Sequence, residues 1–545
     1  MPVLERRIGL LFGVFLLLLG LASLRSLWLV SVRGDDLRSR ASAQQVQEVH
    51  VPARRGAITD RHGRELAVTE DAATVYANPK QVPNPAVAAH RLSAALGEPL
   101  DGLLRKLSDR STGFVYLARK VDALKGDAVR KLDLAGIGVT TEPRRRYPHG
   151  PLALQLVGSV GTDGYGLAGI EQAREKSLHG KDGRRRVVSD ALGEPVSIVD
   201  LEQSRPGEDV RLTIDAAIQE RAEAVLKGVG QTFQPKGATA LVLDPRNGEI
   251  LALANWPRVD AQNPGEAPAY ARQNRAVGAS YEPGSTFKAF TVAGALSERL
   301  VRPSTQFTLG PTIQVADRTI KEAHAGGGGT LTTADILAQS SNVGTVTIGL
   351  RLGGKRFDQW VRRFGFGAST DVDIPGEAAG IVPDPKDYSG SSMGNLPIGL
   401  GLAVTPMQMA AGYQALANGG VTHTPHVIAG ERPKARRVIQ PRVASQVSRM
   451  LEGVLGAGGT AQEAKIDGYV LAGKTGTAEK PENGGYSKTK YVASFIGFAP
   501  ARRPRLLVAV MVDEPKGQIY GGTVAAPAFQ KIASFALPYL RIPPG

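Results

Sequence analysis

Polarity changes character twice along the chain. Ile8 to Leu24 reads IGLLFGVFLLLLGLASL, 17 residues without a charge, and apolar positions resume after Arg25 with Leu27, Trp28, Leu29 and Val30. If Arg25 snorkels to the interface the stretch reaches about 20 residues, enough to cross a bilayer as one helix. Arg6 and Arg7 precede it as a cytoplasmic flank would, although Arg33, Arg38 and Arg40 beyond it blunt the asymmetry. A cleaved leader is the rival reading, with Gly20-Leu21-Ala22 as a weak small-x-small site. No second apolar run of that length follows, so the pattern predicts a single pass with the rest of the chain outside.

After a Gln-rich stretch, Ser42 to Glu48, the pattern becomes a mixture of short strands and amphipathic pieces punctuated by Gly and Pro, up to about Arg211. Near Pro206-Gly207-Glu208 it changes again. VRLTI is strand-like, and Asp215 is placed to cap a helix over AAIQERAEAVLKGV. GATALVLD and EILALAN read as a hairpin around Asn247-Gly248, and KYVASFIGFAP and RLLVAVMVD as a second pair near the end. Strands at both ends with helices between them predict an α+β domain whose termini meet in one sheet.

The 545 residues are 42% hydrophobic and 21% charged, so the chain can build real cores and spans more than one domain. Cysteine is absent, which excludes a thiol nucleophile, disulfides and thiolate metal sites. The formal charge of +15 comes from short, scattered Arg clusters such as Arg144-Arg145-Arg146 and Arg184-Arg185-Arg186. No nucleic-acid-binding pattern accompanies them; an anionic membrane surface or polymer suits the charge equally well.

Three short pieces carry candidate chemistry. In Tyr281-Glu282-Pro283-Gly284-Ser285-Thr286-Phe287-Lys288, a Pro-Gly turn leads into FKAFTVAGAL, apolar nearly all round and therefore a buried helix. Ser285 falls in its first turn, where free N–H groups favour developing negative charge, and Lys288 lies one turn on along the same face. A serine hydroxyl needs a base to take its proton, and a desolvated lysine can be that base. The bland alternative is a lysine snorkelling out of a core helix. In Ser340-Ser341-Asn342, after the helix-like TTADILAQ, a hydroxyl and an amide two apart can line one wall of a cleft, although a polar helix end is the default. In Lys474-Thr475-Gly476-Thr477, after the strand-like GYVLAG, a cation, two hydroxyls and an unobstructed glycine can hold an extended peptide by β-addition.

Two decoys need separating. Ser487-Lys488-Thr489-Lys490 repeats the serine–lysine spacing but reads as a loop after Asn483-Gly484-Gly485. Gly468 to Thr475 matches the phosphate-loop pattern, yet its strand-like residues lie inside the would-be loop and no helix is predicted after it. The Gly326 to Gly329 run reads as a flexible loop.

Taken jointly, the serine–lysine, Ser-x-Asn and Lys-Thr-Gly pieces form the set of penicillin-binding proteins and serine β-lactamases. The chain resembles a class B penicillin-binding protein, most closely the division-specific FtsI-type branch. RRGAITDRHGRELA (Arg54 to Ala67) and GYGLAGIEQAREKSLHGKDG (Gly164 to Gly183) resemble that family's non-catalytic pedestal. NRAVGASYEPGSTFKAF, LAQSSNVGTV, GLGLAVTPMQMA and IYGGTVAAPAF resemble its catalytic part. The middle triplet carries Ser341 where many β-lactamases have aspartate.

The resemblance implies an α+β architecture. A cytoplasmic tail and transmembrane anchor would occupy 1–40, a mixed α/β pedestal of the dimerisation type 41–208, and a transpeptidase domain with a helix-flanked central antiparallel sheet 209–545. It implies peptidoglycan D,D-transpeptidation without cofactor or metal. Ser285 would attack the D-Ala-D-Ala carbonyl of a stem peptide, Lys288 serve as base and Ser340 relay the proton. Asn342 would bind donor peptide, Lys474 tune the field, Gly476 admit the substrate backbone, and Thr475 and Thr477 hold its carboxylate. β-Lactam antibiotics would acylate Ser285. Implied partners are the inner membrane, a SEDS-type (FtsW-like) glycosyltransferase and other divisome proteins, at the septum and without nucleic acid. A β-lactamase, a D,D-carboxypeptidase, an elongation-type transpeptidase and a scaffold that activates a membrane glycan polymerase are the rival expectations.

Overall fold

The computed structural model describes residues 2–31, 46–189, 195–260, 264–323, 328–482 and 484–544. Arg33, Arg38, Arg40, most of Ser42 to Glu48, Gly326, Gly327 and Asn483 lie outside them. The described residues form two compact units, 1–54 with 179–207, and 55–178 with 208–545.

In the first unit the apolar run is a helix, Pro2–Ser31. Its segment Arg7–Leu29, 23 residues, is long and apolar enough to span a bilayer and has none of its surface buried in the fold. At 1.5 Å per residue it reaches about 35 Å, more than the roughly 30 Å hydrocarbon thickness. An antiparallel sheet, Val46–Val51, Gly183–Ser189 and Pro195–Glu202 in that order, completes the unit.

The second unit holds a smaller sheet and a larger one. In the smaller, Glu65–Ala77 pairs with Ile137–Arg146 on one side, and with Val115–Val121 and Ile58–Thr59 on the other. Helices Pro85–Leu96, Leu100–Ser108 and Ala123–Arg130 join it around a separate core that includes Val75, Leu92, Leu103 and Leu117. Beneath it Glu171, fully buried, is gripped by two guanidinium groups: Arg55 Nε at 2.6 Å and Arg145 Nε at 2.6 Å. That contact ties the two pedestal-like sequence segments to each other.

The larger sheet is antiparallel throughout, ordered Ile250–Trp256, Gly237–Leu243, Leu506–Asp513, Gly485–Ala499, Ala472–Glu482. The early hairpin thus docks beside the last strand, which brings the two ends of the domain into one sheet as the pattern predicted. Every residue of Gly237–Leu243 and Leu506–Asp513 is buried, so both faces are covered, and the strands read as continuous apolar runs. The covering helices include Ala216–Phe233, capped by Asp215 as expected, Pro406–Ala417 and Ala526–Tyr539. Ala472–Glu482 is the edge: among the described residues its only ladder is to Gly485–Ala499.

Two local expectations change. GYVLAG is not itself the strand. Gly468, at φ +79°, turns the chain, and the strand starts at Ala472, so Lys474 to Thr477 lie within it. A phosphate loop is thereby excluded, since backbone N–H groups paired in a ladder cannot cradle a phosphate. Ser487 to Lys490 sit in the strand Gly485–Ala499 and not in a loop. They occupy its irregular part, where partners step from Tyr491 opposite Glu479 to Tyr486 opposite Pro481. A strand cannot stack Ser487 and Lys488 or Lys490 as one helical turn would.

Candidate active site

Ser285 is placed by a turn that favours glycine. Gly284 has φ +54°, and a Cβ on it would lie 3.0 Å from Thr477 O and 3.2 Å from the Ala478 methyl of the edge strand. The chain then enters a 3-10 turn, Gly284–Phe287, and the α-helix proper runs Lys288–Ser297. In a 3-10 turn residues i and i+3 eclipse, so Ser285 and Lys288 superpose more closely than an α-helical start predicts. Phe287 and Phe290 root the turn in a cluster with Phe366 and Tyr413, and Tyr413 Oη donates to Thr286 O at 2.8 Å.

The Ser340 segment joins two helices, Thr333–Ala338 and Asn342–Leu352. Thr332 and Asp335 form a capping box at the start of the first. At its end Ser340 N–H bonds Leu337 O and Ser341 N–H bonds Ile336 O, with Ser340 at φ +62°. This is the Schellman turn, with serine where glycine is the common choice. Ser341 caps the second helix through Gly344 N–H, 2.9 Å.

A groove of about 840 Å3 is lined by Ser285, Ser340, Asn342, Thr475 and Thr477, all three predicted pieces at once. Lys288, Lys474 and Gly476 are buried behind its wall. Lys288 Nζ donates to Ser340 O (2.6 Å), Ser340 Oγ (3.2 Å) and Asn342 Oδ1 (2.6 Å). Lys474 Nζ reaches Thr475 O at 3.3 Å and Thr475 Oγ1 at 3.4 Å. Burial pulls Lys288 down to about 7, partly opposed by the negative charge of Glu322. Burial also holds Lys474 well below the usual lysine range, with repulsion from Lys288 adding to it. Two buried amines that repel each other favour a neutral member near pH 7.

Several residues of this centre carry no motif signal. Glu322 accepts from Ser341 Oγ and, at 2.7 Å, from Asn342 N–H. Thr460 Oγ1 and Thr475 Oγ1 are 2.6 Å apart. Gly521, in the segment IYGGTVAAPAF, donates its N–H to Thr477 Oγ1 at 3.0 Å. Glu282 accepts from Gly401 N–H at 2.9 Å and Tyr486 Oη at 3.2 Å, so it joins the Ser285 turn to the hairpin of the edge strand; burial pushes its carboxyl up. Glu282 and Gly521 stand in segments that the sequence marks, but for none of the four does a partner 15 to 204 residues away leave a spacing to read.

The family model described as penicillin binding protein transpeptidase domain matches residues 238–534, and the one described as penicillin-binding protein dimerisation domain matches 50–212. The chain belongs to the class B penicillin-binding proteins. That family's enzymes are peptidoglycan D,D-transpeptidases. Relatives extend over nearly the whole chain. A probable peptidoglycan D,D-transpeptidase PenA of Neisseria meningitidis is 34% identical, covering 98% of this chain and 92% of its own. Stage V sporulation protein D of Bacillus subtilis is 34% identical over 98% and 85%. Peptidoglycan D,D-transpeptidase FtsI of Escherichia coli is 32% identical over 99% and 92%. Among solved structures, a peptidoglycan synthetase from Bifidobacterium adolescentis matches with a TM-score of 0.72 at 29% identity, covering 92% of this chain and 98% of that one. Penicillin binding protein 3 of a Mycobacterium, complexed with aztreonam, matches with 0.70 at 29%, covering 91% and 98%.

Proposed function

We propose that this chain crosslinks peptidoglycan stem peptides through an acyl-enzyme on Ser285. Neutral Lys288 takes the Ser285 proton as Oγ attacks the D-Ala-D-Ala carbonyl. The backbone N–H groups of Ser285 and Thr477 hold the oxyanion. The intermediate collapses as the C–N bond breaks, and Ser340 passes the proton to the departing D-Ala amine. A second stem peptide's amine then attacks the ester and restores the serine hydroxyl. Asn342 holds the donor amide, Thr475 and Thr477 the carboxylate, Lys474 the local field, and Gly476 keeps the strand edge clear.

The supporting observation is the Lys288 amine, buried, bonded at once to Ser340 and Asn342, and one eclipsed turn from Ser285. Its test is labelling with a fluorescent penicillin. Ser285→Ala is expected to abolish the label, and a label that moves to another residue refutes the assignment. Incubating the enzyme with donor peptide and an amine acceptor separates the crosslink from simple hydrolysis by a carboxypeptidase.

We further propose a septal role, on an anchor that crosses the inner membrane once, with a SEDS-type glycosyltransferase and other divisome proteins as partners. Supporting it are the spanning-length helix Arg7–Leu29 and the end-to-end likeness to FtsI of Escherichia coli. Imaging a tagged chain checks it: midcell rings are expected, and a side-wall pattern assigns the elongation role instead.

A further inference from the structure

The hairpin Thr312–Val315 and Arg318–Lys321 leads directly to Glu322, which no motif includes. Its two carboxylate oxygens are both committed to the Ser341–Asn342 turn, one to the Ser341 hydroxyl and the other to the Asn342 N–H at 2.7 Å. The preceding residue adds a third tie, since Asn342 Nδ2 donates to Lys321 O at 2.9 Å. That bond fixes the amide's sense. With Nδ2 turned to Lys321, Oδ1 must face Lys288 Nζ, which donates to it at 2.6 Å. The same carboxylate lies at the amino end of the helix Asn342–Leu352, where negative charge is favoured and the N–H of Asn342 otherwise has no helical partner.

We propose that Glu322 is a positioning residue of this centre: it clamps the turn that aims Ser340 and Asn342 at Lys288, and supplies the negative charge that faces the Lys288 amine. This rests on reading Lys288 as the base. Among the described residues the charged groups facing Lys288 are Glu322, from the segment after the hairpin, and Lys474, from the edge strand. Ser340 and Asn342, from the remaining wall, are uncharged. Burial favours the neutral Lys288 amine and Glu322 favours the ammonium, while the Lys288–Lys474 repulsion falls on Lys474. The balance leaves Lys288 near 7, where the amine can both accept the serine proton and return it.

The sign of the effect follows. Removing the charge of Glu322 leaves burial unopposed, so Lys288 loses its proton at lower pH. Acylation depends on the neutral amine, so its acid limb moves down. Glu322→Gln keeps the length and one acceptor but not the charge, and Glu322→Asp keeps the charge but not the reach.

The test is the rate of acylation by a fluorescent penicillin between pH 5 and pH 9, measured on the full-length protein. For the unaltered enzyme the rate is expected to rise through about 7 as Lys288 becomes neutral. Glu322→Gln should shift that limb down by about one pH unit and lower the plateau by about tenfold or more. Glu322→Asp should lower the plateau but leave the limb in place. A residue that merely caps the helix lowers thermal stability in both variants and moves neither limb, and that result overturns the proposal. So does a limb that shifts equally in both variants. Ser285→Ala separates the two levels of inference. If it still labels, the reading of the centre fails; if it is silent and the Glu322→Gln limb is unmoved, only the role of Glu322 fails.

Discussion

Ser340 carries a backbone conformation that ordinarily selects glycine, at φ +62° in the turn between two helices. A left-handed residue with a Cβ costs roughly 1–2 kcal/mol, and the turn's two backbone bonds keep it there. The retained strain has a chemical return, because glycine would have no hydroxyl to set 3.2 Å from Lys288 Nζ. Ser340→Gly is therefore expected to raise the unfolding free energy by about 1 kcal/mol while lowering turnover of a donor peptide. Paired thermal melts and peptide assays check it, and a variant that loses both stability and turnover contradicts the strain argument. The residue type at 340 was legible in the sequence, but its dihedral angle was not. The strand-like, helix-like and turn-like words around it do not say which residue absorbs the reversal.

The edge strand shows what an element can do only in company. Alone, Ala472–Glu482 is a β-run containing two lysines, two threonines and two glycines. Its inner edge is consumed by Gly485–Ala499, its Gly476 lies against the Ser285 turn, and Gly521 packs on its backbone. A Cβ at Gly476 would approach Pro283 O to 2.9 Å, and one at Gly521 would collide with the carbonyls of Gly476 and Ser494. At Gly521 backbone meets backbone, which has no rotamer to yield, whereas at Gly476 a Cβ would also meet the Ser494 hydroxyl. Gly521→Ala, which touches no proposed nucleophile or base, should push the strand off Ser285 and slow penicillin acylation by about tenfold or more. Stopped-flow labelling measures it; an unchanged rate would mean that the strand's position is set elsewhere. The strand starts four residues later than the strand-like GYVLAG, at Ala472, because a positive-φ glycine and a ladder partner decide where pairing begins.

At the scale of the whole molecule, the part built on the smaller sheet is held by buried charge as well as by apolar packing. Glu171 between Arg55 and Arg145 sits at the foot of the smaller sheet, far along the chain from Ser285. Breaking such a buried group typically costs about 3–5 kcal/mol, since Arg145 loses its carboxylate partner and Arg55 keeps only Glu175, 2.7 Å from its Nη1. Glu171→Ala should therefore lower the melting temperature sharply, with penicillin acylation by the folded protein near normal at low temperature. Calorimetry and labelling at 15 °C distinguish this from a catalytic defect, which would slow labelling without lowering the melting temperature. Arg55 and Glu171 each stand in a segment the sequence marked as pedestal-like, yet nothing in either segment paired them.

From the residues alone follow the membrane-length helix, the α+β order with both ends in one sheet, and the eight chemistry-bearing positions in three pieces. These are local or periodic properties, fixed by side-chain polarity, turn preference and short spacing, and they survive without knowledge of neighbours. Only the tertiary structure put Lys288 in a dry pocket between Ser340 and Asn342, gave Ser340 its left-handed turn, and brought Glu322, Thr460 and Gly521 to the groove. Desolvation and long-range hydrogen bonds belong to pairs of residues distant in the chain, and the free energy of such a pair exists only after folding has closed the loop between them.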